Sequence, residues 1–299
     1  MRFVLSRRGF LAASLASRLF ASEPRMRLSL SVRVAESFEN KEKSSMTIDQ
    51  LIALAKANGY AALCMRASQA GVQTSKEEAA EIARKIRASG LPVSMVTGDF
   101  AIPKNDAHGP DCLRNITPYL DLAQLFGSDL IRICIQKEDD IEWAAKACRQ
   151  AARRHIRLAH QSHCSTLFET VEGSIRVIKA VNEPNFGLIY EPANWMISGE
   201  DYASAAIHKV RPYILNVYVQ NHHLNPQGSA VVQTWKKGPV RLDHIGLWEK
   251  GGVNGEEVFR ALREIGYQGY VTVHQAFEGV MSVEDAVRKS REYLQPLIS

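Results

Sequence analysis

Apolar residues recur along this chain in two alternating rhythms. Short apolar or period-two runs read as strands over Arg27–Val34, Ala61–Arg66, Val93–Val96, Leu130–Ile135, Arg157–His163, Phe186–Tyr190, Ile214–Gln220 and Tyr270–His274. Between them, apolar positions three and four apart predict helices over Met46–Lys56, Thr74–Ser89, Leu113–Phe126, Asp140–Arg154, Thr166–Val181, Gly199–Val210, Gly255–Ile265 and Val283–Leu294. In Thr166–Val181, for example, Leu167, Val171, Ile175, Ile178 and Val181 share one helical face. Strand–helix alternation at this period implies parallel strands joined by right-handed crossovers. An open doubly wound sheet would call for a glycine-rich turn after the first strand, and none follows Val34. The expectation is therefore a single-domain α/β fold, a (β/α)8 TIM barrel over residues 26–296.

In such a barrel, function collects at the carboxyl ends of the strands. The stretch Arg157–Asn194 is the centre of that argument, because its two strands deliver Gln161, His163 and Glu191 to one end of the sheet. Arg66, Tyr218, Asn221, His222 and His274 end other strands. Cys134, Gln136 and Thr272 read better as satisfied polar caps. Residues 221–252 form the longest irregular stretch and hold His222, His223, Trp235, Asp243, His244 and Trp248, which suggests a lid over the strand ends.

Composition narrows the picture. The formal charge is +5, but Arg2, Arg7, Arg8 and Arg18 lie in an acid-free start, and the remainder carries only +1. That near-neutral body offers no electrostatic case for nucleic acid. No apolar run is long enough to span a membrane. Ser6-Arg7-Arg8-Gly9-Phe10-Leu11 followed by a mild apolar stretch has the twin-arginine pattern, so residues 1–21 are expected to be a signal segment directing export to the periplasm. Five cysteines with no CxxC pair argue against a disulfide framework. Cys64 and Cys134 fall in apolar runs and read as small buried groups.

Five segments resemble the xylose isomerase-like barrels, the sugar (phosphate) isomerase/epimerase group: GYAALCMR at 59–66, LAHQSHCSTLFET at 158–170, GLIYEPAN at 187–194, ILNVYVQN at 214–221 and GYQGYVTVH at 266–274. The resemblance implies a divalent metal (Zn, Mn, Fe or Co) held by strands five to eight. It places the ligands at Gln161, Glu191, Tyr218 and His274, where the family usually has Glu, Asp, His and Glu. Cys64 stands at a further acidic position of the family. Only Glu191 keeps the family's chemistry.

Gln161 cannot titrate, so a symmetric pair of carboxylates trading protons is excluded by that alignment. The chemistry left is proton transfer beside a metal-bound carbonyl by His274, Glu191 and His163, with a small-molecule sugar or glycoside held by Arg66, Asn221, His222, Trp195 and Trp248. An exported isomerase/epimerase-like enzyme is the first expectation. A 3-keto-glycoside lyase or hydrolase, and a non-catalytic sugar-binding barrel, are the alternatives.

Overall fold

The computed structural model describes residues 26–299; the expected signal segment lies outside them. Eleven strands occur among the described residues: β1 (Arg27–Ser31), β2 (Ala62–Arg66), β3 (Val93–Thr97), β4 (Leu130–Arg132), β5 (Arg157–Gln161), β6 (Phe186–Tyr190), β7 (Ile214–Val219), β8 (His222–Leu224), β9 (Ala230–Thr234), β10 (Gly238–His244) and β11 (Tyr270–Val273). Eight of them close a parallel barrel in the order β1-β11-β7-β6-β5-β4-β3-β2. Helices follow the expected rhythm, so the TIM barrel stands. Among the described residues, no helix is long and apolar enough to cross a membrane.

Local sequence accounts for the helix ends. Thr47 and Gln50 form a reciprocal capping box at Ile48–Ala57, and Ser75, Thr170, Asn254 and Ser282 each accept a backbone N–H at the start of a later helix. The expected helix Leu113–Phe126 is broken into Asp111–Arg114 and Thr117–Phe126, with Pro118 near the start of the second. Proline is well tolerated only in a helix's first turn. Similarly, Gly199 ends Pro192–Ser198 with a left-handed backbone, and Ser204–Val210 starts afresh.

Two strands are shorter than the apolar pattern suggests. After Ser31 the chain tightens into a 3-10 turn, Val32–Ala35, where Ser31 accepts from the Arg33 N–H. Strand β4 stops at Arg132, three residues before the expected Ile135. The expected irregular stretch 221–252 is also corrected. It contains an antiparallel sheet in the order β8-β10-β9, whose hairpin turn places Gly238 at φ 70°. Burial alternates along β9 and β10, but the exposed face carries Val231 as well as polar residues, which blurs the alternation in the sequence.

Period two governs the barrel interior. Cys64, Met95, Leu130, Ala159, Ile189 and Tyr218, one from each of β2 to β7, pack into a cluster of their own. Two residues further along each strand the same face carries Arg66, Thr97, Arg132, Gln161, Glu191 and Gln220. On β1 and β11 the equivalent steps run from Ser29 to Ser31 and from Thr272 to His274. An apolar plug thus ends in a ring of polar groups at the carboxyl ends.

Candidate active site

Arg66, Arg132, Gln161, Gln220 and His274 of this ring form the floor of a cavity of about 320 Å³, walled by Phe38 and Lys41 on one side and by the small sheet's His222, Val231 and His244 on the other. A larger open groove of about 490 Å³ lies beside Ser44 and Glu278, outside the barrel mouth. The mouth is the better site because buried polar groups converge on it. Thr97 Oγ1, Arg132 Nε and Gln161 Oε1 are all buried in the ring without a hydrogen-bond partner. Buried polar atoms are normally satisfied, so orphans clustered in one ring point to a ligand that completes them.

Glu191 is fully buried in this ring. Gln161 Nε2 donates to its Oε2, and Gln220 Nε2 donates to its Oε1 over 2.6 Å. The backbone holds it too: Ser162 accepts the Glu191 N–H at 2.8 Å and donates to its carbonyl at 3.1 Å. Burial pushes the Glu191 carboxyl up to about 8, against the pull of Arg132 and Gln220. It therefore exchanges protons near neutral pH. A flip of the Gln161 amide would present Oε1 to the protonated acid, so the same neighbour can serve both charge states.

Four cations line the cavity: Arg33, Lys41, Arg66 and Arg132. Glu36, itself buried, accepts from Arg66 Nε at 2.8 Å and from Arg33 Nη1 at 3.3 Å. Burial opposes ionisation of Glu36, but the two guanidiniums outweigh it and hold its carboxyl below the usual range. Burial and neighbouring arginines lower Lys41 to about 7. Arg132 has no hydrogen bond or ion pair with protein atoms among the described residues.

His274 lies in the mouth, but its lone pair is engaged. Its Nε2 is 3.5 Å from Arg66 Nη1, which can only donate, so Nδ1 carries the proton toward Ser31 Oγ at 3.0 Å. Burial and then Arg66 keep its pKa well below the normal histidine value. His274, expected as the general base, stands as a neutral group between Ser31 and Arg66, an arrangement that disfavours proton uptake. His163 lines the cavity with Nδ1 on its neighbour's carbonyl at 2.8 Å, which leaves Nε2 free as an acceptor. His222 also lines it, with Nδ1 3.0 Å from Nδ1 of His244, whose ring stacks on Phe38.

The other expected residues fall elsewhere. Trp195 is fully buried and donates to the Phe168 carbonyl, because the helix Pro192–Ser198 starts directly after β6 and turns the indole inward. Trp248 stacks on Phe277 outside the mouth. Asn221 bonds the Gly246 and Glu249 carbonyls and the Val253 N–H, so it positions the 245–253 loop without facing the cavity. Cys64 and Cys134 are buried as expected, and Gln136 caps the Asp106 carbonyl.

The expected metal set does not come together. Tyr218 is fully buried against Cys64 at 3.5 Å, with its ring stacked 3.7 Å from His274. Glu191 spends both oxygens on amides, and the His274 lone pair faces a guanidinium. No group of three or more His, Cys, Asp or Glu side chains able to hold a metal occurs among the described residues. Cations line the mouth where a divalent ion would sit, so the residues present do not fit one.

Arg33, Lys41, Arg132 and Gln220 were not singled out by the strand-end reading. Arg132 had a signal, a lone arginine inside the apolar run Leu130–Ile135.

Comparison with known proteins places this architecture. Residues 52–297 match the family described as xylose isomerase-like TIM barrel. No curated protein matches the sequence. Similar solved structures include the probable 3-DHS dehydratase AsbF of Bacillus anthracis, at 15% identity and TM-score 0.66 over 90% of this chain and 99% of that one. A xylose isomerase-like TIM barrel protein from Mycobacterium smegmatis in complex with magnesium is 16% identical, with TM-score 0.66 over 91% and 96%. D-allulose 3-epimerase from Methylomonas sp. is 13% identical, with TM-score 0.65 over 92% and 98%. Identities this low establish the shared fold alone.

Proposed function

The chain belongs to the xylose isomerase-like TIM barrel family, and we propose that it is a sugar-processing enzyme that moves a proton at a carbon beside a carbonyl. The observation that carries this reading is Glu191, a buried carboxyl poised near pH 8 in a ring of unsatisfied polar groups. Ionised, it takes the proton from the carbon and leaves an enediolate. Protonated, it returns that proton to the adjacent carbon while the hydroxyl proton passes from one enediolate oxygen to the other, which completes an isomerisation. The enediolate's negative charge would develop opposite Arg66 and Arg132. Gln161 Oε1 and His163 Nε2 are acceptors suited to substrate hydroxyls.

Arg66 faces the lone pair of His274, so Glu191 has no partner base on β11. That favours one-base isomerisation over two-base epimerisation. It also supports a second reading, a lyase in which Glu191 removes the proton beside a keto group and a leaving group departs with its bonding electrons. The similar protein from Mycobacterium smegmatis was solved in complex with magnesium, but no step here is routed through a metal.

The test is to incubate the protein with ketohexoses and with 3-keto-glycosides in D2O and follow the sugar protons by NMR. Deuterium entering the carbon beside the carbonyl, reduced about 10²-fold or more in Glu191→Gln, supports the reading. Release of free sugar or alcohol from the keto-glycoside identifies the lyase. Exchange that persists in Glu191→Gln, or that occurs with no substrate tried, overturns it. Export rests on Ser6–Leu11 alone and is tested by fractionating cells that express the full chain.

A further inference from the structure

We propose that the barrel mouth is an anion site centred on Arg132, which takes the carboxylate or phosphate group of a sugar-sized substrate. The anion part stands on the geometry alone; the sugar part rests on the function proposed above.

Arg132 is 2% exposed and lines the cavity, yet it lacks a partner among the described residues, and its buried Nε has no acceptor. A guanidinium held out of water without a counter-charge costs several kcal/mol, so the fold does not gain from it as it stands. An oxyanion in the cavity would supply the missing acceptor and charge together. Arginine suits this task because its planar fork matches the two oxygens of a carboxylate or phosphate.

The surroundings carry the same sign. Arg33, Lys41 and Arg66 line the cavity with Arg132, and Glu36 and Glu191 are the carboxylates that meet them. Glu36 is shared between Arg33 and Arg66, so it cancels one charge of the two. Even with Glu191 ionised and Lys41 neutral, three guanidiniums face two carboxylates. Burial and Arg33, Arg66 and Arg132 pull Lys41 down to about 7, a sign that the positive groups feel one another. A bound oxyanion relieves that repulsion, whereas a divalent cation would add to it.

The position of Arg132 makes the site specific. It stands two residues beyond Leu130 on β4, as Gln161 does beyond Ala159 on β5 and Glu191 beyond Ile189 on β6. An anion on Arg132 therefore leaves the rest of a small polyhydroxy chain running over Gln161, which lines the same cavity, toward the side of the ring that holds Glu191.

The experiment measures binding by calorimetry and by thermal shift, with D-gluconate, D-glucose 6-phosphate, inorganic phosphate and D-glucose as probes at 0.15 M salt. Wild type is expected to bind at least one of the two anionic sugars saturably and to ignore glucose. Whichever sugar binds identifies carboxylate or phosphate as the preferred group. Arg132→Met should lose about tenfold or more in that affinity, and Arg132→Lys, which keeps the charge and loses the fork, should lose less. Should Arg132→Met fail to fold, the comparison of Arg132→Lys with wild type decides, and unchanged affinity there contradicts the proposal. Equal binding of glucose and its anionic counterparts, or anion binding that survives Arg132→Met, also overturns it. Binding of inorganic phosphate alone, lost in Arg132→Met, keeps the anion site and fails the sugar reading.

Discussion

Gln220 donates its amide to Glu191 Oε1 across 2.6 Å, from the end of β7 to the end of β6. That bond favours the ionised acid and works against the burial that raises its pKa. Replacing Gln220 with leucine is expected to lift the Glu191 pKa above its present value of about 8. Carbon-13 NMR of the labelled carboxyl measures the shift directly, and an unchanged titration would mean that the amide does not tune the acid.

Glu191 also links stability to pH. Its folded pKa of about 8 exceeds the ordinary carboxyl value, so the folded state binds the proton more tightly than the unfolded chain. The stability this contributes is fully present below about pH 4.5 and is lost as pH rises through 8. Glu191→Gln removes the titration. Its stability relative to wild type should therefore climb between about pH 4.5 and 8, by a few kcal/mol at most, and level off above. Urea unfolding across that range provides the curve.

Histidines carry the opposite slope. His160, His163, His222, His244 and His274 all have lowered pKa values, chiefly through burial. In each case the unfolded chain takes up the proton first as pH falls below about 6.5, and folded stability declines with it. Acid unfolding is expected to begin near pH 6, with uptake of several protons. Potentiometric or calorimetric counting of those protons checks it, and uptake of fewer than two would contradict this burial pattern.

Glu36 is the buried carboxylate shared by Arg33 and Arg66. Its replacement by glutamine leaves two buried guanidiniums without a counter-charge, a change that costs about 3–5 kcal/mol for broken buried pairs. Chemical denaturation should register a loss of this order, and a loss below 1 kcal/mol would show that solvent reaches the pair.

The small sheet over the mouth is tied down at its β9–β10 turn, where Glu200 pairs with the Lys236 side chain and Glu169 holds the backbone. Glu169 accepts from the backbone N–H groups of Ser165, Trp235 and Lys236 at 2.5, 2.8 and 2.7 Å. Glu169→Ala should free the β9–β10 hairpin, with faster amide hydrogen exchange over residues 230–244 and little change in the barrel strands.

Much of this was legible in the sequence. Eight strands could be counted from apolar runs because parallel barrel strands are buried on both faces. Gln161, His163, Glu191, Arg66, His222 and His274 reach the mouth because each sits at or just after a strand end. Arg132 escaped because the apolar run continues to Ile135, which hides where β4 stops. Gln220 escaped because Tyr218, two residues deeper on the same face, is the position that matches the family's metal ligand. Trp195 and Trp248 misled for a different reason. Aromatic residues near strand ends pack inward or face solvent according to how the next helix starts, and nothing in local composition records that angle. The chemistry of the mouth, two buried carboxylates among four basic side chains, emerges only when the strand ends are brought together.

The most direct test of this account is a calorimetric titration of the purified protein, stripped with chelator, against Mg, Mn, Co and Zn. A mouth lined by Arg33, Lys41, Arg66 and Arg132 predicts no saturable one-to-one uptake of any of the four ions. Uptake of one equivalent, abolished by Glu191→Gln, would contradict it and restore the metal to the barrel.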